Sequence, residues 1–184
     1  MRCCFDGETQ KKEIETIKPR QFNLNLSDAD VKRIFKKAGA CNITVEYLLE
    51  SFIGDLISGT YSNGSDERMY AENWFERCGF SWMYNKTFLI YLLQYDFLED
   101  AIGIYEDIQV FKEELQYSKE EPKEFTKEEI EDLKIDLEDS QNELNSHYSN
   151  YIEWAECNGR SLEEEMKEIF EWIKKRDEKL NSSC

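Results

Sequence analysis

The chain has few of the residues from which catalytic and metal sites are usually built. Histidine occurs once, at position 147, which excludes any metal site based on a histidine pair and most acid–base designs. The six cysteines form no Cys-x-x-Cys pair, a pattern typical of reduced thiols in a cytoplasm. The sequence therefore predicts a protein that is not an enzyme and has no catalytic, metal or cofactor site.

Proline, glycine and long apolar runs are also scarce. Two prolines and eight glycines in 184 residues, with tracts rich in Glu, Lys, Leu and Ile, predict a mainly helical protein. No apolar run reaches the roughly 18 residues of a membrane span, and residues 1–6 lack the apolar core of a signal peptide. We therefore expect no membrane association.

Positive charge is the third deficit, and it is unevenly distributed. The chain has 23 Lys and Arg against 40 Asp and Glu, a net charge of −17. Residues 1–40 have nine bases and six acids, whereas residues 113–143 alone have four bases and 13 acids. Such a field repels nucleic acid and attracts basic surfaces, because Lys and Arg provide most affinity for phosphate backbones. The plain alternative is a solvated helix surface, which is sufficient for most acidic proteins.

The pattern at residues 20–26 predicts a short β-strand. Phe22, Leu24 and Leu26 alternate with polar residues, as in a strand with one buried and one polar face. Ser27 or Asp28 then offers an N-cap for a helix that ends near residue 39. Thr44 offers another N-cap, for a helix through residue 56.

This strand–helix–helix order resembles the ribbon-helix-helix family, and the strand especially resembles that of Arc repressor. The resemblance implies a homodimer in which two strands pair and enter the DNA major groove. Carried over by position, Gln21, Asn23 and Asn25 would read bases and Thr44 would lie near a phosphate. The third outward position often has Arg or Lys in that family, and here it is the neutral Asn25.

Behind this module the sequence predicts a helical bundle that ends in an antiparallel hairpin. The patterns Thr126-x-x-Glu129 and Ser161-x-x-Glu164 match the capping box at a helix start, and Ser65 could cap a helix over residues 66–77. We expect four segments: a flexible arm at 1–19, the ribbon-helix-helix-like module at 20–58, an aromatic-rich helical region at 59–121 and the acidic hairpin at 122–184.

Acidic and aromatic residues together favour a protein-binding function. In size, charge and helical content the chain is similar to phage and mobile-element inhibitors of bacterial immunity, including anti-CRISPR proteins. That resemblance implies binding and inhibition of a basic nucleic-acid-handling protein such as Cas9, with or without guide RNA. The predicted contact residues are Glu128, Glu129, Glu131, Asp132, Trp74 and Trp82.

Two alternatives stay open from the residues alone. One concerns function: the chain could be a ribbon-helix-helix transcriptional regulator that binds operator DNA through residues 20–58. The other concerns the aromatic cluster at residues 74–88, since aromatics at this density usually form core and bind partners only where they are exposed.

Overall fold

The chain folds into helices that group into two compact units. The computed structural model describes residues 7–80, 84–156 and 160–181. Unit 1 comprises residues 1–84 together with 177–184, and unit 2 comprises residues 85–176. The helices of the described residues are α1 (Gly7–Glu15), α2 (Asp28–Gly39), α3 (Val45–Leu56), α4 (Ser65–Arg77), α5 (Phe88–Gln94), α6 (Leu98–Glu120), α7 (Lys127–Ala155) and α8 (Leu162–Asn181). None of them is both long and apolar enough to cross a membrane.

Four of these helices, α2, α3, α7 and α8, begin at the residues that the sequence predicts. The side chains of Ser27 and Thr44 accept hydrogen bonds from backbone N–H groups in the first turns of α2 and α3. Thr126 and Ser161 each form a complete capping box with the glutamate three residues on. The prediction for Ser65 is wrong: α4 begins at that residue, and its N-cap, Gly64, forms no side-chain bond.

Unit 2 has one continuous hydrophobic core. Side chains from α5, α6, α7 and α8 contribute to it, at the 3–4 residue spacing visible in the sequence. Its buried members are Phe88, Tyr91, Leu92, Leu98, Ala101, Ile104, Ile108, Leu144, Tyr151, Met166 and Ile169. Burial of a large aliphatic or aromatic side chain contributes about 1.5–3 kcal/mol, so this cluster is the main stabilising contact between the four helices.

The most extensive helix packing of unit 2 is between α6 and α7, and the predicted hairpin of α7 and α8 stays a prediction. Pro122 ends α6, and the short connection at residues 121–126 returns the chain directly along it. The proline therefore lies in the turn between α6 and α7.

Unit 1 contains α3 packed against α2 and α4, with a tightly anchored loop after α3. The buried carboxylate of Asp55 accepts bonds from the backbone N–H of Asn63 (2.7 Å) and from its amide (2.8 Å). Gly54 lies against the carbonyl of Tyr61, and a Cβ atom there would come within 2.1 Å of that oxygen. The loop is therefore held by specific polar contacts and close packing.

The predicted strand at residues 20–26, and with it the ribbon-helix-helix fold, is wrong. The described residues contain no β-strand, and residues 21–27 run without regular secondary structure before α2. A strand needs a neighbouring strand for its ladder of hydrogen bonds, and the described residues provide none. Phe22, Leu24 and Leu26 are exposed, as are the polar residues between them, so the alternation does not correspond to a buried face.

Candidate functional site

The first candidate site is the acidic surface, defined as the exposed carboxylates of residues 113–143. All 13 acidic side chains of this stretch are exposed, at the end of α6, in the turn and along α7. The predicted contact residues Glu128, Glu129, Glu131 and Asp132 lie within it. Unit 2 as a whole has 11 bases and 25 acids, a net charge of −14, against −3 for unit 1. The acidic surface therefore belongs to unit 2, which has the continuous hydrophobic core.

Few of these carboxylates are committed to contacts within the protein. Glu131 pairs with Lys134 at 3.1 Å, and Glu124 accepts a bond from the hydroxyl of Tyr117 at 2.8 Å, which raises the pKa of that hydroxyl. Glu129 accepts a bond from the backbone N–H of Thr126 at 2.6 Å, and this bond lowers its pKa. Ion pairs for the other carboxylates of this surface are absent from the described residues, so their charge remains available.

The second candidate site is the apolar surface of unit 1, defined as its exposed large hydrophobic side chains between residues 20 and 80. Its members are Phe22, Leu24, Leu26, Val31, Phe35, Tyr47, Phe52, Ile53, Ile57, Tyr61, Met69, Tyr70, Trp74 and Phe80. Scattered exposed apolar residues are ordinary, but fourteen of them within 61 residues make this part of unit 1 a candidate binding surface. Sequence reasoning missed its extent because periodicity predicts a face without showing whether anything covers it.

Trp74 lies at the centre of an aromatic group on this surface. Its ring meets Phe52 edge-on with centroids 5.4 Å apart, and Phe80 lies 6.0 Å away. Trp74 is 45% exposed and lines an open cleft with Tyr70 and Arg77. This part of the aromatic cluster lies at the surface, whereas Phe88 belongs to the core of unit 2. Trp82, the other aromatic contact predicted, lies outside the described residues.

The residues assigned to DNA reading lie in two parts of unit 1. Gln21, Asn23 and Asn25 are exposed in the extended segment before α2, and Thr44 is the N-cap of α3. Their predicted roles required two paired strands, as in the ribbon-helix-helix family. The described residues contain no strand, so the basis of that prediction is gone. Arg20 instead donates to the carbonyls of Lys179 and Leu180 at the end of α8.

The remaining chemically versatile side chains have ordinary surroundings. His147 is half-buried, with Nε2 3.5 Å from a carboxylate oxygen of Asp100 and its ring beside Phe97. Cys41 and Cys78 are exposed free thiols. Within the described residues, no group of three or more His, Cys, Asp or Glu side chains is placed to hold a metal ion.

One buried polar contact was not anticipated from the sequence. Glu165 belongs to the acidic first turn of α8 and reads as a solvated residue, yet it is almost completely buried. Its carboxylate accepts bonds from the N–H of Phe88 (3.2 Å) and the hydroxyl of Tyr151 (3.1 Å). The only local signal was its place beside Met166 on the apolar stripe.

No protein-family model matches the chain, and neither a curated protein nor a solved structure does.

Proposed function

We propose that this chain is a non-enzymatic acidic protein that binds a basic nucleic-acid-handling protein and blocks its nucleic-acid-binding surface. In this proposal it acts in the cytoplasm of a bacterial host, as phage and mobile-element inhibitors do, and Cas9 is the first partner to test. The observation that carries the proposal is the acidic surface: 13 exposed carboxylates on one helical hairpin, few of them paired within the protein. Carboxylates so placed compete with phosphates for Lys and Arg side chains.

The scaffold under the acidic surface supports a binding role. The surface lies on α6 and α7, which contribute Ile104, Ile108 and Leu144 to the buried core of unit 2. A rigid hairpin holds its charges in place before the partner arrives, and this reduces the entropy lost on binding. Val110, Tyr117 and Ile135 are exposed in and beside the same stretch and provide apolar contact area for a protein partner.

Charge reversal on the acidic surface tests the proposal. The test variant combines Glu128→Lys, Glu131→Lys, Asp132→Lys and Asp136→Lys, and it spares Glu129 because that side chain caps α7. The control variant combines Glu106→Lys, Asp107→Lys, Glu163→Lys and Glu171→Lys, all exposed residues of unit 2 outside the acidic surface. The two variants have the same net charge, so a difference between them reports position rather than total charge.

Binding to Cas9, apo and guide-loaded, is measured by calorimetry together with inhibition of DNA cleavage. We expect the test variant to lose at least about tenfold in affinity, the control to lose much less, and wild-type affinity to fall as salt rises. If neither form of Cas9 binds, capture from a bacterial lysate with and without nuclease treatment identifies any basic partner. Capture of no basic protein, or equal losses in both variants, would contradict the proposal.

A further inference from the structure

The described residues of unit 1 contain no large apolar side chain of the buried class. The buried hydrophobic residues there are Ala38 and Ala71, both small, and larger ones such as Leu48 and Phe75 are partly buried, whereas unit 2 buries eleven hydrophobic residues, most of them large. Ordering a chain costs about 1–2 kcal/mol per residue in backbone entropy alone, and burial of apolar surface is the main term that offsets it. As a single copy, unit 1 therefore has less buried apolar surface than unit 2 to offset the entropy of ordering its chain.

The part of unit 1 that contains the apolar surface consists of two successive sequence segments with net charges of opposite sign, which we call the basic half and the acidic half. Residues 18–40, the basic half, have six bases and two acids, a net charge of +4. Residues 41–80, the acidic half, have two bases and seven acids, a net charge of −5. Each half has exposed apolar side chains, for example Phe35 in the basic half and Trp74 in the acidic half.

The charges of both halves are exposed. Lys32, Lys36 and Lys37 project from α2, and the described residues provide no carboxylate within ion-pair distance of them, whereas Arg33 is paired with Asp30 at 2.7 Å. In the acidic half the exposed carboxylates include Glu50 on α3 and Glu72 and Glu76 on α4, again without an ion-pair partner among the described residues. Apolar area and free charge of one sign therefore occur together on each half.

We propose that unit 1 docks on unit 1 of a second copy of this chain, with the basic half of one copy against the acidic half of the other. In a twofold dimer this contact forms twice, so two +4 halves meet two −5 halves and both apolar areas leave water. The pairing uses helix faces and side chains and requires no ladder of strands. It is independent of the partner proposed for unit 2.

A second copy fits these observations better than nucleic acid or a membrane. Either of those would engage the basic half and leave the carboxylates and Trp74 of the acidic half uncovered. A second copy covers both, and it provides the complementary charge from the same sequence. Aromatic side chains such as Trp74 and Phe80 are also those that contribute most to protein–protein binding.

Reciprocal charge reversal in the full chain tests the proposal. The first variant combines Lys32→Glu, Lys36→Glu and Lys37→Glu, and the second combines Glu50→Lys, Glu72→Lys and Glu76→Lys. A third variant has all six substitutions. The control combines Glu106→Lys, Asp107→Lys and Glu163→Lys in unit 2. Molecular mass is followed across protein concentration by analytical ultracentrifugation, and circular dichroism monitors helix content.

We expect the wild type and the control to dimerise, and the first and second variants each to dimerise at least about tenfold more weakly. Mixed in equal amounts, the first and second variants should form a heterodimer. The variant with all six substitutions should dimerise by itself. In both cases a half of one copy again meets a half of opposite charge on the other copy. Recovery on mixing also shows that each variant is folded. A wild type that stays monomeric at all concentrations, a dimer indifferent to the reversals, or failure to recover would overturn the proposal.

Discussion

The hydroxyl of Tyr151 on α7 donates a hydrogen bond to the buried carboxylate of Glu165 on α8 across 3.1 Å. The same carboxylate accepts the N–H of Phe88 at the start of α5, so one side chain joins three helices of unit 2. Buried side-chain polar atoms without a partner are absent from the described residues. Glu165 is therefore a structural acceptor, in contrast to the exposed glutamates around it.

Glu165→Ala should lower the free energy of unfolding of the protein by about 1–3 kcal/mol, because two buried donors lose their acceptor. Glu165→Gln, which keeps an acceptor oxygen, should cost less. Exposed Glu163 in the same helical turn serves as the control, and Glu163→Ala should stay within about 0.5 kcal/mol of the wild type. Urea unfolding followed by circular dichroism measures all three. Equal stability of Glu165→Ala and Glu163→Ala would contradict the structural role.

Gly54→Ala should destabilise unit 1, since the new Cβ would lie 2.1 Å from the carbonyl oxygen of Tyr61 and backbone would have to move. Overpacking of this kind costs about 1–3 kcal/mol. Gly103, in the middle of α6, has open space at its Cβ position, so Gly103→Ala should instead stabilise by about 0.5–1 kcal/mol. Thermal unfolding compares the two variants, and a neutral or stabilising Gly54→Ala would show that the loop is not closely packed on α3.

Asp55 should control the loop at residues 59–64. Asp55→Ala removes the acceptor of both bonds from Asn63, whereas Asn63→Ala removes the amide and keeps the backbone N–H bond to Asp55. We expect amide hydrogen exchange at residue 63 to accelerate strongly in Asp55→Ala and only slightly in Asn63→Ala. Equal exchange in both variants would mean that the backbone bond does not hold the loop.

The capping box of α7 should make its start sensitive to acid. The bond from the N–H of Thr126 holds the pKa of Glu129 below its usual value of 4.5, so the folded state binds this proton less readily than the unfolded state. The resulting stabilisation is present above the unfolded pKa and is lost as pH falls through the folded pKa. Glu129→Gln should be less stable than the wild type at pH 7, and this difference should shrink towards pH 3. Glu128→Gln is the control, and a constant difference would contradict the assignment.

Local signals in the sequence predicted helix limits well. Ser27, Thr44 and Thr126 cap helices where expected, and Gly39 ends α2, because caps and stops depend on atoms a few residues apart. Longer-range features were predicted less well. The alternation of Phe22, Leu24 and Leu26 satisfies the strand pattern, but a strand also needs a neighbour, and the sequence of one segment does not contain it.

For the candidate sites too, features set by local sequence were predicted, and features set by contacts between distant residues were not. Composition alone located the acidic stretch at residues 113–143, since charge density needs no partner to be counted. Which residues of the aromatic cluster are exposed could not be assigned from the sequence, because the burial of Trp74 and Phe88 depends on what distant residues pack against them. Glu165 was missed for the same reason.

The amino-acid sequence by itself determined the helical class, the starts of four helices and the separation of charge along the chain, all of which are set by composition and neighbouring residues. Only the tertiary structure decided that α6 pairs with α7, that Glu165 is buried and that unit 1 leaves its apolar side chains exposed. These features depend on contacts between distant residues, whose free energies are small differences between burial and chain entropy. Such contacts are formed by the whole chain and cannot be assigned to any one segment.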